Sequence, residues 1–364
     1  MLGELSHWLL CIAGAATILA TAASFLRLPH GAIRSLDFPR LQAIVLCLLL
    51  AVLFWALEPP PWNLAWALAL VVAAVAQGAL VVIFTPLWRR QSHRPRHAVP
   101  EAQVTLLACN VKQSNRAYHR LIAAIRREDP DIVMGLEIDD DWAEALSALD
   151  DDYPHRVMNP QDNGYGMTLQ SRLEIAEHEL RELLLEGVPS IRARIRLRTG
   201  EDFRLYVVHP EPPVPYHDSE GRDAEIGLVG IEAAKDPLPV VVAGDLNDVA
   251  WSHTTRRFQR LSGLMDPRVG RGFFNTFDAR YPFLRWPLDH MFHDARFRLV
   301  EMRRLEHVGS DHFPMLFRLQ LAPVEGGEAP EEVRDEDREE IRDMVRTERA
   351  RDREPIGSDW EDED

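Results

Sequence analysis

The 364-residue chain has almost no lysine: Lys112 and Lys235 are the exceptions among 41 basic side chains, and the rest are arginine. We read that bias as the mark of a GC-rich genome and draw no chemistry from it. Cysteine is scarce too. Of the three, Cys11 and Cys47 fall in apolar runs and Cys109 inside a predicted strand, which argues against a disulfide framework. Three stretches lack charge altogether, residues 8–26, 41–57 and 64–87. With no charged side chain inside them, nothing points to an ion path or transport site, and anchorage is what remains. Clustered zinc ligands are also missing: His93 and His97 have helical spacing, but Pro95 between them breaks the helix that would present them.

Each uncharged stretch is close to the roughly 17–25 residues that cross hydrocarbon as a helix. The first has signal-peptide-like small residues at 20–24, yet its amino-terminal flank holds Glu4 and no basic residue, which favours a retained span. Arg27, Arg34 and Arg40 follow the first span, Glu58 lies between the second and third, and Arg89, Arg90, Arg94 and Arg96 follow the last. By the positive-inside rule this predicts a multi-pass protein of the inner (plasma) membrane, with its amino terminus and second loop outside and its first loop and everything after residue 88 in the cytoplasm. The expected organisation is an anchor over 1–88, a basic linker over 89–101, a soluble domain over 102–321 and an acidic, largely disordered tail over 324–364. Charge follows the same division: +4 for residues 1–100, −9 for 101–323 and −11 for 324–364, within a total of −16.

The soluble domain is organised around Val240-Val241-Val242-Ala243-Gly244-Asp245-Leu246-Asn247. Its apolar run reads as a strand buried on both faces, Gly244 permits a tight turn, and a carboxylate and a carboxamide leave the end. Residues 104–111 form a strand with Asn110 near its end, 118–127 an amphipathic helix, and 131–137 a strand finishing in Glu137. That order implies an α/β layered domain. Residues 164–172 and 190–197 are expected to pair as a hairpin or meander, with Arg192, Arg194, Arg196 and Arg198 on one solvated face. A strand over 203–209 ends in His209, a helix covers 222–234, and Asp289-His290 and Asp311-His312 sit in or beside later strands.

Strand after strand thus finishes in a polar group, and in a layered sheet such ends converge on one rim. Oxygen donors with imidazoles suit Mg²⁺ or Mn²⁺, and phosphoryl transfer needs a site that neutralises phosphate charge and aligns a water. Through the ordered set Asn110, Glu137, His209, Gly244-Asp245-x-Asn247, Asp289 and Ser310-Asp311-His312, residues 102–321 resemble the catalytic domain of the endonuclease/exonuclease/phosphatase (DNase I-like) superfamily. That group includes DNase I, abasic-site endonucleases, inositol-polyphosphate 5-phosphatases and neutral sphingomyelinases. The resemblance implies a four-layer α/β sandwich, here preceded by three transmembrane helices, in a bacterial membrane-anchored member. It also implies roles. Glu137 is the chief metal ligand, with Asn110 and Asp311 beside it. Asp245 orients or deprotonates the attacking water, and Asn247 positions it and the phosphate. His312, oriented by Asp289, stabilises charge on the phosphate, and His209 is a second phosphate-side group. His290 is expected to point to the opposite face of its strand from Asp289.

The expectation is a metal-dependent phosphoric ester hydrolase acting on phosphodiesters, with phosphomonoesters a further option. A nuclease-like activity is favoured, and the alternatives are a phospholipid or headgroup phosphoesterase, or a silent anchored binding module. The domain's −9 charge disfavours tight nonspecific DNA binding, which depends on Lys and Arg. Against that, Arg256, Arg257, Arg260, Arg268, Arg271, Arg280 and Arg285 form a locally basic stretch, and Trp251, Phe273, Phe274 and Phe277 offer stacking surfaces, unless they are core aromatics and solvated arginines. The partners expected are a phosphate-ester substrate, nucleic acid or phospholipid, and the lipid bilayer, with no obligatory protein partner. In the tail, Arg334, Arg338, Arg342 and Arg346 recur every four residues among acids, which suggests a solvated single helix around 331–350; charge complementarity separately suggests a regulatory tail that folds back onto the basic stretch.

Overall fold

The computed structural model describes residues 2–322 and 331–358, so the tail positions 324–330 and 359–364 lie outside the described residues. Three apolar helices lead: α1 (Leu2–Ala23), α3 (Arg40–Leu57) and α4 (Trp62–Val81), with a single turn, α2 (Gly31–Arg34), between the first two. All three are long and apolar enough to cross a membrane. Their outer faces leave Leu19, Val52 and Val75 about two-thirds exposed (68%, 65% and 66%), which water would penalise and hydrocarbon would not. Their inner faces pack, with Phe54 stacked on Trp66 at 4.8 Å.

Then follow β1 (Gln103–Asn110), α5 (Tyr118–Glu128), β2 (Ile132–Leu136), α6 (Asp140–Leu146), β3 (His155–Asn159), β4 (Met167–Ser171), β5 (Ile175–Glu182), β6 (Pro189–Arg196), β7 (Asp202–Val208), α7 (Glu220–Ala233), β8 (Val240–Asp245), α8 (His253–Ser262), β9 (Asp289–His293), β10 (Phe297–Arg304), β11 (Met315–Leu321) and α9 (Asp335–Arg349). Six strands form one sheet in the order β10-β11-β1-β2-β4-β3, and five form another in the order β5-β6-β7-β8-β9. The only parallel neighbours within these sheets are β1 with β2 and β7 with β8. Leu106, Met134 and Leu169 of the first sheet meet Ile191, Leu205 and Val241 of the second in the central core. Helices α5 and α6 cover the outer face of the first sheet, and α7 and α8 that of the second. The result is the four-layer sandwich.

Two local readings change. Residues 167–171 and 189–196 do not pair, because β4 and β6 lie in different sheets and β5 carries the chain across. β5 is mostly exposed and charged, so no apolar alternation announced it. The arginines of β6 do share a polar face, and there they meet acids: Arg194 and Arg196 reach Asp202 at 2.9 and 3.0 Å, and Arg192 reaches Asp236 at 3.2 Å.

The anchor and the soluble domain are joined by packing. Val81 and Phe84 share an apolar cluster with Val249, Trp251 and Leu288, and the Trp251 indole N–H donates to the Asp37 carbonyl at 2.7 Å. Arg34 and Arg40, loop charges in the sequence reading, are both buried. Arg34 pairs with Asp223 of α7 at 3.0 Å and Arg40 pairs with Asp37. The linker docks too, with buried Ser92 hydrogen-bonded to His293 Nε2 at 2.6 Å. The loop after α1 therefore lies on the same side of the helices as the soluble domain.

The charged tail also packs. α9 is a helix where one was expected, but one of its faces is packed: Ile341 and Met344 are buried, and Asp337 receives both Arg260 hydrogen bonds at 2.8 and 2.6 Å. Beyond it, Arg353 grips Glu211 through two hydrogen bonds of 2.6 and 2.7 Å, and the Ile356 N–H donates to the same carboxylate at 2.7 Å.

Candidate active site

The carboxyl ends of β1, β2, β7 and β8 and the start of β9 meet at one rim. The close approach of β7 and β8 depends on Gly244, where φ is +145° and a Cβ would lie 1.9 Å from the Val208 carbonyl oxygen. Past the strand ends the backbone turns sharply. Glu137 and Asn247 sit in the left-handed region at φ 61° and 49°, a strain of roughly 1–3 kcal/mol each that concentrates at functional sites.

The side chains so delivered touch one another. Asn110 Nδ2 donates to Glu137 Oε1 at 2.6 Å and to Asp245 Oδ2 at 3.1 Å, tying the two sheets together. The Gln113 N–H donates to Glu137 Oε2 at 3.1 Å. Next to Asp245 lies His312, its Nε2 3.4 Å from Asp245 Oδ2 and its Nδ1 2.8 Å from Asp289 Oδ2. Ser310 fixes this loop by donating to the Asn110 carbonyl at 2.8 Å and accepting from the His312 N–H at 2.9 Å. Asp245, Asp289 and His312 present ligand-type atoms within 4.8 Å of one another.

Asn110, Glu137, Asp245, Asp289 and His312 thus form a connected set, and the other predicted residues stand around it. His209 Nε2 is 4.0 Å from Asp245 Oδ2, while its buried Nδ1 has no partner. The Asn247 N–H donates to Asp245 Oδ1 at 2.9 Å, and its side-chain amide donates to the Pro210 carbonyl at 2.9 Å. Asp311 faces cations, with Lys112 Nζ at 3.8 Å and Arg280 Nη2 at 3.7 Å. The amide of Asn110 turns its nitrogen to the carboxylates, so its oxygen, the atom able to ligate, instead accepts from the Lys112 N–H at 3.0 Å. His290 points away as expected, to Arg268 and the Asp248 carbonyl.

Burial and charge set the protonation states. Burial raises the Glu137 carboxyl to about 7, with Asp311 adding to the effect. Burial works against charge on His312, but the Asp289 and Asp245 carboxylates outweigh it and raise the imidazole to about 10. For His209 burial prevails and lowers it to about 4, leaving a neutral ring.

These groups open on a cavity of about 640 Å³ whose walls include residues that sequence reasoning missed. Lys112 was the most findable, two positions after Asn110 in a chain with two lysines. Phe38 and Pro39 come from the turn before α3, and Ile356 and Gly357 from the tail. No local signal marks these four, because tertiary packing alone brings them there.

The basic stretch is not a free cationic surface. Arg257 pairs with Glu340, Arg260 with Asp337, Arg268 with Asp266 and Arg280 with Asp278, while Arg256, Arg271 and Arg285 donate to backbone carbonyls. Trp251 is fully buried and Phe274 packs against the central core, so neither offers a face for bases.

A four-layer sandwich bearing carboxylates, an amide and an imidazole–carboxylate pair on one rim defines a hydrolase of phosphoric esters. The chain belongs to the Endonuclease/Exonuclease/phosphatase family, whose sequence pattern matches residues 107–312. Enzymes of this family are generally dependent on divalent metals. Among solved structures, the TDP2 of D. rerio complexed with a single-strand DNA product aligns with a TM-score of 0.52 at 17% identity, over 60% of this chain and 99% of that one. An endonuclease/exonuclease/phosphatase from Beutenbergia cavernae DSM 12333 aligns with a TM-score of 0.52 at 19% identity, over 61% of this chain and 72% of that one. At these identities the likeness establishes the fold. No protein of curated function matches the sequence.

Proposed function

We propose that this chain is a membrane-anchored phosphodiesterase that uses Mg²⁺ or Mn²⁺ and works through the linked set Glu137, Asn110, Asp245, His312 and Asp289. The observation that carries the reading is the continuity of that set across both sheets, with Glu137, Asp245 and His312 on the wall of one cavity. The residues present fit a divalent ion: the donors are hard oxygens, and a buried carboxyl raised to about 7 beside a second carboxylate calls for positive charge. Glu137 and Asp311 would hold it, joined by Asn110 with its amide oxygen turned inward. When bound, such an ion neutralises charge on the phosphate and polarises the ester.

The chain's own groups do the rest. Asp245 accepts the proton of the attacking water, held in place by the Asn110 amide and the Asn247 N–H. His312, kept cationic by Asp289, donates to a phosphate oxygen where negative charge builds. His209, neutral and with its Nε2 4.0 Å from Asp245 Oδ2, is a second donor or acceptor on that side. The anchor is proposed to place this site at the plasma membrane with the domain in the cytoplasm. Arg89, Arg90, Arg94 and Arg96 after the third helix support that orientation, and labelling of introduced cysteines from either side would test it.

Full-length protein in detergent micelles, given bis(p-nitrophenyl) phosphate with Mg²⁺ or Mn²⁺, tests the chemistry. Asp245→Asn should lower turnover by roughly 10²–10⁴-fold, the usual contribution of a positioned proton acceptor. Glu137→Gln should also raise the Mg²⁺ or Mn²⁺ concentration needed for half-maximal turnover. Turnover unaltered in both variants would overturn the assignment.

A further inference from the structure

An unbroken run of aromatic rings leads from the catalytic imidazole to the membrane helices. His312 lies 4.9 Å from Phe277, Phe277 lies 6.2 Å from Trp286 in a stacked arrangement, and Trp286 meets Phe38 edge-on at 5.8 Å. Phe38 is two residues ahead of α3 and packs in one cluster with Leu41 and Ile44 of that helix. Phe38, Phe277 and Trp286, with Leu288, line the same cavity as Glu137, Asp245 and His312. One end of the cavity is therefore built for a phosphate and the other for an apolar chain.

Beside that wall the loop carrying Tyr281, Phe283 and Leu284 is exposed (55%, 87% and 48%), and its Phe283 carbonyl accepts from the Gln42 side chain of α3 at 2.9 Å. Three large apolar side chains left open next to a helix able to span a membrane belong at the interface between headgroups and acyl chains. The cavity then opens at the level of the bilayer. The arginines of the basic stretch are taken by acids and carbonyls, which leaves little to grip a polyanionic strand.

Resting on the phosphodiesterase reading, we infer that the substrate is a membrane-resident lipid phosphodiester. Its phosphate sits among Asp245, His312 and Lys112, and its hydrocarbon chain lies along Phe277, Trp286 and Phe38 toward α3. Hydrolysis consumes one water: its oxygen bonds to phosphorus, the ester P–O bond breaks, and the leaving oxygen takes a proton, giving a phosphomonoester and an alcohol.

The test uses full-length protein in phosphatidylcholine nanodiscs containing phosphatidylglycerol, with glycerophosphoglycerol as the chain-free counterpart and a single-stranded DNA oligonucleotide as the third substrate. Phosphatidylglycerol should be cleaved with a kcat/KM about tenfold or more above the chain-free diester, as burial of a chain on aromatic surface implies. Phe38→Ser and Trp286→Ser should each lower the ratio of lipid to chain-free turnover by about tenfold, a ratio that general loss of fold does not move. Cleavage that depends on Glu137 but prefers the oligonucleotide, or ignores the chain, overturns the lipid inference and leaves the phosphodiesterase reading standing.

A second arm needs no catalysis. In EDTA, phosphatidylglycerol with a photoreactive group on its acyl chain should label the segment 275–288, with the label competed by unmodified phosphatidylglycerol. Labelling without hydrolysis of any substrate supports the lipid site while removing the phosphodiesterase reading. No competed label in that segment overturns the lipid inference whatever the turnover.

Discussion

His312 shows how single residues are set by their neighbours. Burial would strip its proton, yet Asp289 at 2.8 Å and Asp245 at 3.4 Å raise it from 6.5 to about 10. Since the folded value lies above the unfolded one, this pairing stabilises the fold fully below about 6.5 and ceases to do so as pH rises through about 10. The cationic form needed at the phosphate follows the same curve. In Asp289→Asn the basic limb of the pH–rate profile should move to lower pH, and kcat at pH 9 should fall by roughly 10²–10⁴-fold. A basic limb that stays in place shows that His312 is not the titrating group. Strand ends carrying Asn, Asp, Glu and His were legible because an apolar run that stops at a polar residue is a strong local signal. Which atom each side chain turns inward was not. The Asn110 amide, expected as a ligand, faces the carboxylates with its nitrogen, and that follows from the loop bearing Lys112, whose N–H takes the oxygen.

Among the elements, α9 is where local pattern and packing diverge most. Its sequence is almost wholly charged, and helical charge spacing predicts a free helix. Ile341 and Met344 dock it together with the Arg257 and Arg260 ion pairs, and α7 offers a glycine where Ile341 lands. A Cβ on Gly227 would lie 2.1 Å from Ile341 Cδ1, 2.6 Å from Cγ1 and 3.1 Å from Cγ2, so the whole side chain occupies the space left by that glycine. Gly227→Ala should therefore cost about 1–3 kcal/mol by overpacking, and Ile341→Ala about 2–5 kcal/mol by leaving a cavity. Both should free α9 to proteases at positions that the unaltered protein protects. An α9 equally protected in Gly227→Ala would mean that the helix does not seat on α7. The same contrast explains β5. Its outward face is charged and its partner β6 supplies the apolar pattern, so only the pairing of strands, which is non-local, reveals the change of sheet. Release of α9 carries a consequence for the site, because the segment that follows it places Ile356 and Gly357 on the cavity wall.

For the whole molecule, the division into anchor, linker and soluble domain describes the sequence better than it describes the packing. Composition separates residues 1–88 from the rest, but hydropathy cannot show that Phe84 meets Trp251 at 6.2 Å or that Arg34 enters a buried network with Asp223 and Arg222. Residues 98–364 alone should then behave poorly. Removing α1–α4 uncovers Trp251, Val249 and Leu288, each buried here, at roughly 1.5–3 kcal/mol of lost burial for a large apolar side chain. It also takes Arg34 from Asp223, whose carboxylate is held far below the usual range: burial works to raise it, and Arg222, Arg34 and Arg257 more than reverse that. The excised domain should bind a hydrophobic dye, scatter light on concentration and melt several degrees below the full chain. A monodisperse domain that melts with the full chain would show the interface to be incidental. A weakened but folded fragment is the informative case. It keeps Glu137, Asp245 and His312 and loses Phe38, so cleavage of a small diester should survive while any preference for a lipid chain disappears. If the preference persists without α1–α4, the anchor holds the enzyme at the membrane and does nothing to shape what it cleaves.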